Sequence, residues 1–304
     1  MGPVRRLAIS LLAFGFVLGA CGGGGSAGRG DGVVVAAFGF SESHILAELY
    51  AQAMEARGIP VQRALDLASR EVVEPALEQG VVDFVPEYSG TALEFLNRAA
   101  GQATSDPEAT YRLLSQAFAA RGVTALTPAP AQNQNAVAVT RATAERLGLR
   151  TVSDLRPVAP ALVFGAPPEC PERQFCLAGL TAVYGLSFRE FRPLDAGGPL
   201  TVGALEGNEI DVGLLFTTSP AVATSDLVLL ADDRGLQPAE SVVPVVRTPV
   251  LERHGDALRR AADEVSRVLS TEELIGLNRR VDVEGATPAE AAREWLVGHG
   301  LGRA

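Results

Sequence analysis

The fold class follows from residues 33–65, VVVAAFGFSESHILAELYAQAMEARGIPVQRAL. The run from Val33 to Phe38 is apolar and rich in valine, which predicts a buried strand. Apolar residues between Ile45 and Met54 recur at helical spacing and predict an amphipathic helix that ends at Gly58. A second strand is expected from Val61 to Leu65. Strand, helix and strand in succession predict a βαβ unit and a largely parallel sheet.

The same alternation continues along the chain. A helix should begin at Ser69, run to Leu77 and end at Gly80, before a third strand from Val81 to Val85. A second α/β region is predicted from Ala136 onward, with strands at Ala161–Gly165 and Ile210–Phe216, a helix around Cys176–Tyr184, and a mostly helical tail from Leu251 to Gly300. The pattern therefore predicts two α/β regions.

Two proline-rich stretches bracket the middle of the chain. They are Thr127-Pro128-Ala129-Pro130 and the segment from Gln237 to Pro244. Two chain crossings around an inserted middle domain predict a hinged molecule with two lobes. We expect residues 33–134 with 239–304 to form lobe I and residues 135–238 to form lobe II.

The N-terminal residues predict an export signal. Arg5 and Arg6 precede a short apolar run, which is followed by Leu18-Gly19-Ala20-Cys21. The run is well below the ~20 apolar residues that cross a bilayer, so residues 1–20 are predicted to be a signal peptide. The last four residues resemble a bacterial lipobox, in which the cysteine is acylated, and residues 21–32 are glycine-rich like a flexible tether. The alternative is an ordinary signal peptide with a chance cysteine.

Charge and cysteine content narrow the function classes. The formal net charge of −10 argues against nucleic acid as a partner. Cys170 and Cys176 are close in sequence and, in an exported protein, predict a disulfide that shapes a loop. No histidine lies near them, and the sequence predicts neither a metal site nor a cofactor.

Three segments carry candidate binding residues. Phe38 to Ser43 should follow the first strand at a helix N-terminus, and Pro86 to Thr91 should follow the third strand. The third segment, Ala131 to Asn135, holds four consecutive amide side chains at the first crossing. Plainer interpretations stay open: Phe40 as a core residue, Tyr88 packed in an ordinary turn, and the amides as solvated loop residues.

These segments resemble a known family in order and spacing. Phe40-Ser41-Glu42-Ser43, Ser69-Arg70-Glu71-Val72, Asp83 to Thr91 and Ile210-Asp211-Val212 are similar to motifs of the glycine betaine/choline/carnitine substrate-binding proteins of osmoprotectant ABC importers. The resemblance implies an α/β type II periplasmic-binding-protein fold, with two lobes joined by two hinge crossings that close on a ligand. It also implies delivery of that ligand to an ABC permease and its ATPase. Together with the N-terminal motif, we expect a monomer that is lipid-anchored on the extracytoplasmic face of the membrane.

The resemblance also suggests the pocket. Tyr88 and Thr91 match the family's cage tyrosine and carboxylate-binding threonine, and Arg173 falls where its carboxylate-binding arginine is expected. Asn135, Val202 and the Ala239-Glu240 pair stand where further cage tyrosines are expected, so we predict poor glycine betaine binding and favour a more polar zwitterion. The candidate ligand-binding residues are Phe38, Gly39, Ser41, Tyr88, Thr91, Asn133, Asn135, Arg173, Thr217 and Thr218.

Other function classes have weaker support. None of the usual hydrolase, metalloprotease or phosphate-loop motifs accompanies His44, His254 or His299, so we predict no catalytic residue and no enzyme activity. A lipoprotein that senses or adheres without transport is the main alternative, and a secreted enzyme is a remote one.

Overall fold

A computed structural model describes residues 32–302. The predicted signal peptide, Cys21 and almost all of the tether lie outside the described residues. Two five-stranded mixed sheets organise the rest of the chain. We call the part built on the first sheet lobe I and the part built on the second sheet lobe II.

The sheet of lobe I has the order β2-β1-β3-β10-β4. Its strands are β1 (Val33–Ala36), β2 (Val61–Ala64), β3 (Phe84–Tyr88), β4 (Val123–Ala125) and β10 (Val242–Arg247). The strands β1, β2 and β3 are parallel, as predicted, whereas β10 runs antiparallel to both β3 and β4. Helices α1 (Ser41–Ala56), α2 (Arg70–Glu78), α3 (Ser89–Leu96), α4 (Pro107–Ala119), α9 (Thr248–Val268), α10 (Thr271–Asp282) and α11 (Pro288–Gly298) belong to this lobe.

Alternation along the strands places helices on both faces of this sheet. Val33 and Val35 of β1 face a core shared with α1 and the C-terminal helices. Ala36 and Val85 face the opposite way, toward a second core shared with α2, α3 and α4. Residues i and i+2 of a strand share a face, so each strand contributes to both cores. The sheet is therefore buried between two helical layers.

The sheet of lobe II has the order β7-β6-β8-β5-β9. Its strands are β5 (Asn135–Thr140), β6 (Val163–Ala166), β7 (Glu190–Pro193), β8 (Val212–Phe216) and β9 (Leu227–Leu229). The helices are α5 (Arg141–Leu147), α6 (Leu177–Tyr184), α7 (Pro199–Glu206) and the short α8 (Ala221–Thr224), with 3-10 segments at Val152–Leu155, Ala159–Ala161 and Cys170–Glu172. The strands at 161–165 and 210–216 and the helix at 176–184 lie within two residues of their expected positions.

Two expected elements differ from the structure. The third strand was predicted at Val81–Val85 but spans Phe84–Tyr88. Gly80 has a φ of 75°, and the amides of Val81 and Val82 bond back to Ala76, so these valines close α2 instead of extending a strand. The second proline-rich stretch was predicted to reach Pro244, yet β10 begins at Val242.

The two crossings run side by side between the lobes. Gln132 and Ser241 form an antiparallel bridge, and the Asn133 amide donates to the Glu240 carbonyl at 3.0 Å. The Gln134 side chain donates to the Pro238 carbonyl at 2.6 Å. These bonds tie the crossings together, which fits a hinge. The lobe boundaries at 134/135 and 238/239 stay predictions.

Candidate functional site

A cleft of about 380 Å³ lies between the lobes. It opens where β1, β3, β5 and β8 end or begin, close to the crossings. Lobe I contributes Phe38, Phe40, Arg70, Glu71, Tyr88, Thr91 and Glu240, and lobe II contributes Asn135, Arg173, Phe175 and Phe216, among others. Ligands of open α/β sheets bind at such strand ends. Side chains from both lobes therefore line one space.

Phe40 lies at the centre of an aromatic cluster in the cleft. Its ring centroid is 6.2 Å from that of Tyr88 in lobe I and 5.6 Å from that of Phe216 in lobe II. It also stacks on Phe38, at 6.2 Å. Phe40 is only half-buried and lines the cleft, so it is more than a core residue. Among the described residues, the cleft lining thus contains several aromatic rings but a single tyrosine.

Arg70 lines the cleft and forms a buried ion pair with Glu87. Its Nε and Nη2 atoms each donate to Glu87 at 2.7 Å, and its guanidinium lies 5.0 Å from the Phe38 ring centroid. Arg70 is 9% exposed and Glu87 is fully buried. Burial and the adjacent Glu87 carboxylate raise the pKa of the neighbouring Glu74 well above its ordinary value. The two hydrogen bonds from Arg70 to Glu87 fix the guanidinium in one orientation.

Arg173 lies in the cleft and forms an ion pair that bridges the lobes. Its Nη2 atom is 2.6 Å and 2.8 Å from the two carboxylate oxygens of Glu71 in lobe I. Its guanidinium lies 5.8 Å from the Phe95 ring centroid. Burial and the nearby Arg70 lower the pKa of Arg173, although arginine stays charged at neutral pH. The arginine expected to receive a ligand carboxylate is thus engaged by a protein carboxylate.

Glu240 occupies the N-terminus of α3. Its carboxylate accepts from the backbone amides of Gly90 and Thr91 at 3.0 and 2.9 Å, and from the Thr91 hydroxyl. Burial raises the pKa of Glu240 to about 7. A side chain at Gly90 would place its Cβ 2.5 Å from a Pro238 carbon, so glycine is what allows the second crossing to approach α3. The Thr91 hydroxyl, expected to meet a ligand carboxylate, donates to Glu240 instead.

Glu42 joins the lobes at a second point. Its carboxylate, which is 4% exposed, accepts from Tyr88 Oη at 2.6 Å and Asn133 Nδ2 at 2.7 Å. It also accepts from Thr218 Oγ1 and Asn278 Nδ2, each at 2.6 Å. Burial raises the pKa of Glu42, and the four donors oppose that effect. Lobe I, the first crossing and lobe II therefore share one carboxylate.

The remaining predicted residues divide between the cleft and its surroundings. Asn135 lines the cleft and donates to the Phe175 carbonyl at 3.0 Å. Gly39 also lines it and is close-packed on Ala68. Ser41, Thr217 and Thr218 are not among the described residues that line the cleft. The Ser41 hydroxyl donates to Asp282 at 2.6 Å, and the Thr217 hydroxyl accepts from the Gln134 backbone amide at 3.0 Å. The Thr218 hydroxyl donates to Glu42.

The predicted disulfide between Cys170 and Cys176 is present, with their Cα atoms 5.2 Å apart. Both cysteines line the cleft and enclose the loop that carries Arg173. Within residues 32–302, no group of histidine, cysteine and acidic side chains is placed to hold a metal ion, and no helix is long and apolar enough to cross a membrane.

Several residues of the cleft escaped the sequence prediction. Arg70 and Glu71 lie inside a motif that was recognised, but no role was assigned to them. Glu240 also lines the cleft, whereas Glu87 is not among the described lining residues but pairs with Arg70. Both are acidic residues among many, and only tertiary contacts show their partners. Only the sequence position of Glu240 could have indicated a binding role, because it falls where the family resemblance leads us to expect a cage tyrosine.

Comparisons with known proteins agree with this geometry. The family described as the substrate binding domain of ABC-type glycine betaine transport systems matches residues 31–297. A glycine-betaine-binding protein of Pseudomonas aeruginosa is 32% identical over 273 residues, which is 86% of each chain. An ergothioneine transport permease/ergothioneine binding protein of Helicobacter pylori is 28% identical, over 88% of this chain and 48% of that longer one.

A solved structure of a glycine betaine/carnitine/choline ABC transporter superposes with a TM-score of 0.70 at 28% identity, over 88% of this chain and 99% of its own. Structures of the same type II periplasmic-binding-protein architecture include one complexed with glycine betaine, with a TM-score of 0.63 over 89% of this chain and 96% of its own, which at 16% identity shows the fold alone. The expected two-lobed α/β fold is confirmed. The chain belongs to the family of substrate-binding domains of ABC-type glycine betaine transport systems.

Proposed function

We propose that this protein is an extracytoplasmic solute receptor that binds a small quaternary-ammonium or polar zwitterionic compound between its lobes and delivers it to an ABC permease and its ATPase. The observation that carries the proposal is a cleft lined by both lobes beside two paired crossings. Family membership supports the transport role. Its relatives are binding proteins, which argues against an enzyme.

Ligand-driven closure supplies the mechanism. A ligand shifts the equilibrium between open and closed forms only when it binds them with different affinity, so it must contact both lobes. Tyr88 and Thr91 belong to lobe I, Asn135 and Arg173 to lobe II, and Asn133 to the first crossing. Contacts divided in this way would favour a form in which the lobes approach each other. In this structure Arg173 and Glu71 pair across the lobes.

We further propose that the mature chain begins at an acylated Cys21 and that residues 22–32 tether a monomer to the membrane surface. The support is the Leu18-Gly19-Ala20-Cys21 motif. Mass spectrometry of protein from native membranes should find a lipidated N-terminal cysteine. An unmodified N-terminus elsewhere on a freely secreted protein would contradict the anchor.

A binding screen tests the proposed function. Thermal-shift measurements over betaines, choline, carnitine, ergothioneine, amino acids and polyamines should identify a ligand, and titration calorimetry should then give its affinity. Uptake in proteoliposomes that contain the permease and ATPase should require the loaded protein. Failure of every compound to bind would contradict the proposal, and tight binding without uptake would instead favour the sensor function.

A further inference from the structure

The N-terminus of α3 already holds a carboxylate from the protein itself. Glu240 accepts the free backbone amides of Gly90 and Thr91, together with the Thr91 hydroxyl hydrogen. These are the donors that a helix start offers to an anion. Glu240 is 3% exposed, but it still forms part of the cleft lining. A ligand carboxylate that approached α3 would therefore meet a filled site and a second negative charge.

Two of the three arginines in the described lining of the cleft are already paired with protein carboxylates. Arg70 gives two bonds to Glu87, and Arg173 bonds both oxygens of Glu71. The third arginine of the lining, Arg98, is exposed at the rim. Five glutamates share the lining with these three arginines: Glu71, Glu94, Glu169, Glu172 and Glu240. Acidic groups outnumber basic ones, so the cleft favours a cation.

Two buried amide oxygens in the lining also favour a ligand that donates hydrogen bonds. The Asn133 side chain is 6% exposed and lines the cleft, and its Oδ1 atom has no hydrogen-bond partner among the described residues. Gln174 Oε1, also in the lining, is likewise buried without a partner there. Buried acceptors of this kind are costly unless something donates to them. A ligand with a hydroxyl or N–H group would satisfy them, whereas a carboxylate would not.

We infer that the cleft selects a small organic cation that carries a hydrogen-bond donor and no carboxylate, and that Glu240 is the residue that sets this selectivity. The inference rests on the proposed function. Glu240 provides the ligand's counter-charge and occupies the place of a ligand carboxylate. Phe40, Tyr88 and Phe216 provide aromatic surface for the cation from both lobes.

Choline and glycine betaine are the sharpest probes, since both carry a trimethylammonium group and differ in bearing a hydroxyl or a carboxylate. Titration calorimetry at pH 8, where Glu240 with its pKa of about 7 is mostly ionised, should show that the wild-type protein binds choline at least tenfold more tightly than glycine betaine. Glu240→Ala vacates the α3 N-terminus, so choline should bind about tenfold or more weakly and glycine betaine more tightly. Added formate should restore part of the choline affinity of this variant by filling the vacated site.

Three further variants make the test specific. Glu240→Gln keeps the shape of the side chain and removes its charge, so it should lower the choline preference in the same direction even if Glu240→Ala folds poorly. Glu71→Gln releases Arg173; if Arg173 were the intended receiver of a ligand carboxylate, this variant, and not the Glu240 variants, would gain glycine betaine affinity. Glu252→Gln, on an exposed face of α9, should behave like the wild type.

The outcomes separate this inference from the proposed function. Wild-type binding of glycine betaine as tight as that of choline, or an unchanged ratio in both Glu240 variants, would overturn the selectivity while leaving the receptor function intact. If neither probe binds, the tightest compound of the wider screen decides: a carboxylate-free cation supports the inference and a carboxylate-bearing one refutes it. Absence of any ligand would count against the proposed function itself.

Discussion

Replacing Glu42 with alanine should destabilise the protein strongly. Glu42 accepts four hydrogen bonds, at 2.6 to 2.7 Å, from Tyr88, Asn133, Thr218 and Asn278. Glu42→Ala removes the shared acceptor and leaves four buried donors around a small cavity. An unsatisfied buried donor costs ~1–3 kcal/mol, which sets the scale of the effect.

Two effects reduce the sum of these costs. Asn278 Nδ2 keeps a bond to the Thr218 carbonyl at 3.2 Å, and the two hydroxyls can rotate toward water that enters the cavity. The substitution also relieves the desolvation of Glu42, the effect that raises its pKa. With two donors left unsatisfied on balance, we expect a loss of about 3 kcal/mol in the free energy of unfolding.

Urea denaturation followed by circular dichroism measures this loss. Thr218→Val removes a single donor and should cost about 1 kcal/mol. Glu252→Ala, on an exposed face of α9, is the matched surface control and should stay within ~0.5 kcal/mol of wild type. A loss below 1 kcal/mol in Glu42→Ala would show that the four bonds do not stabilise the described arrangement of the lobes.

Four further predictions follow from the cleft. Serine at both Cys170 and Cys176 should lower the free energy of unfolding by ~2 kcal/mol, as measured in urea, because the short loop loses its cross-link. The pKa of Glu240 is about 7 in the folded state and 4.5 ordinarily, so its charged form destabilises the fold. Raising the pH from 4.5 to above 7 should therefore lower the stability of the ligand-free wild type, relative to Glu240→Gln, by about 3 kcal/mol in melts recorded at each pH. Arg173→Ala should weaken ligand binding by about 1 kcal/mol in calorimetry if it removes only the contact with Glu71, and by ~2–5 kcal/mol if Arg173 receives a ligand carboxylate. Glycine betaine should bind more weakly than micromolar, and micromolar or tighter binding in the same assay would restore it as the ordinary ligand.

Local pattern was sufficient for most of the architecture. The βαβ unit at the start of lobe I and the two crossings could be predicted because their signals are short in range: apolar periodicity, terminal glycines and proline-rich connections. The antiparallel β10 could not, since its neighbours in the sheet come from segments more than 100 residues away. The run from Val81 shows another limit, because valines that close a helix look like the start of a strand.

The candidate site likewise has a part that local sequence predicts and a part that depends on distant contacts. Tyr88, Thr91, Asn135 and Arg173 were expected to meet, and all four line the cleft because strand ends and crossings converge there. The sequence could not predict which of their polar atoms already bond to other groups of the protein. The bond between Thr91 and Glu240 joins residues 149 positions apart. Hydrogen-bond partners across such distances are settled by tertiary packing and leave no periodic signal.

Glu240 belongs both to the lining of the cleft and to the paired crossings between the lobes. Its carboxylate lines the cleft at the start of α3, while its backbone carbonyl accepts from the Asn133 amide of the other crossing at 3.0 Å. The next residue, Ser241, pairs with Gln132 in the bridge between the crossings. Asn133 in turn donates to Glu42, which also accepts from Thr218 in lobe II. On this proposal, a cation that attracts the Glu240 side chain would act directly on the second crossing, so the proposed ligand selectivity and the proposed closure would depend on the same residue.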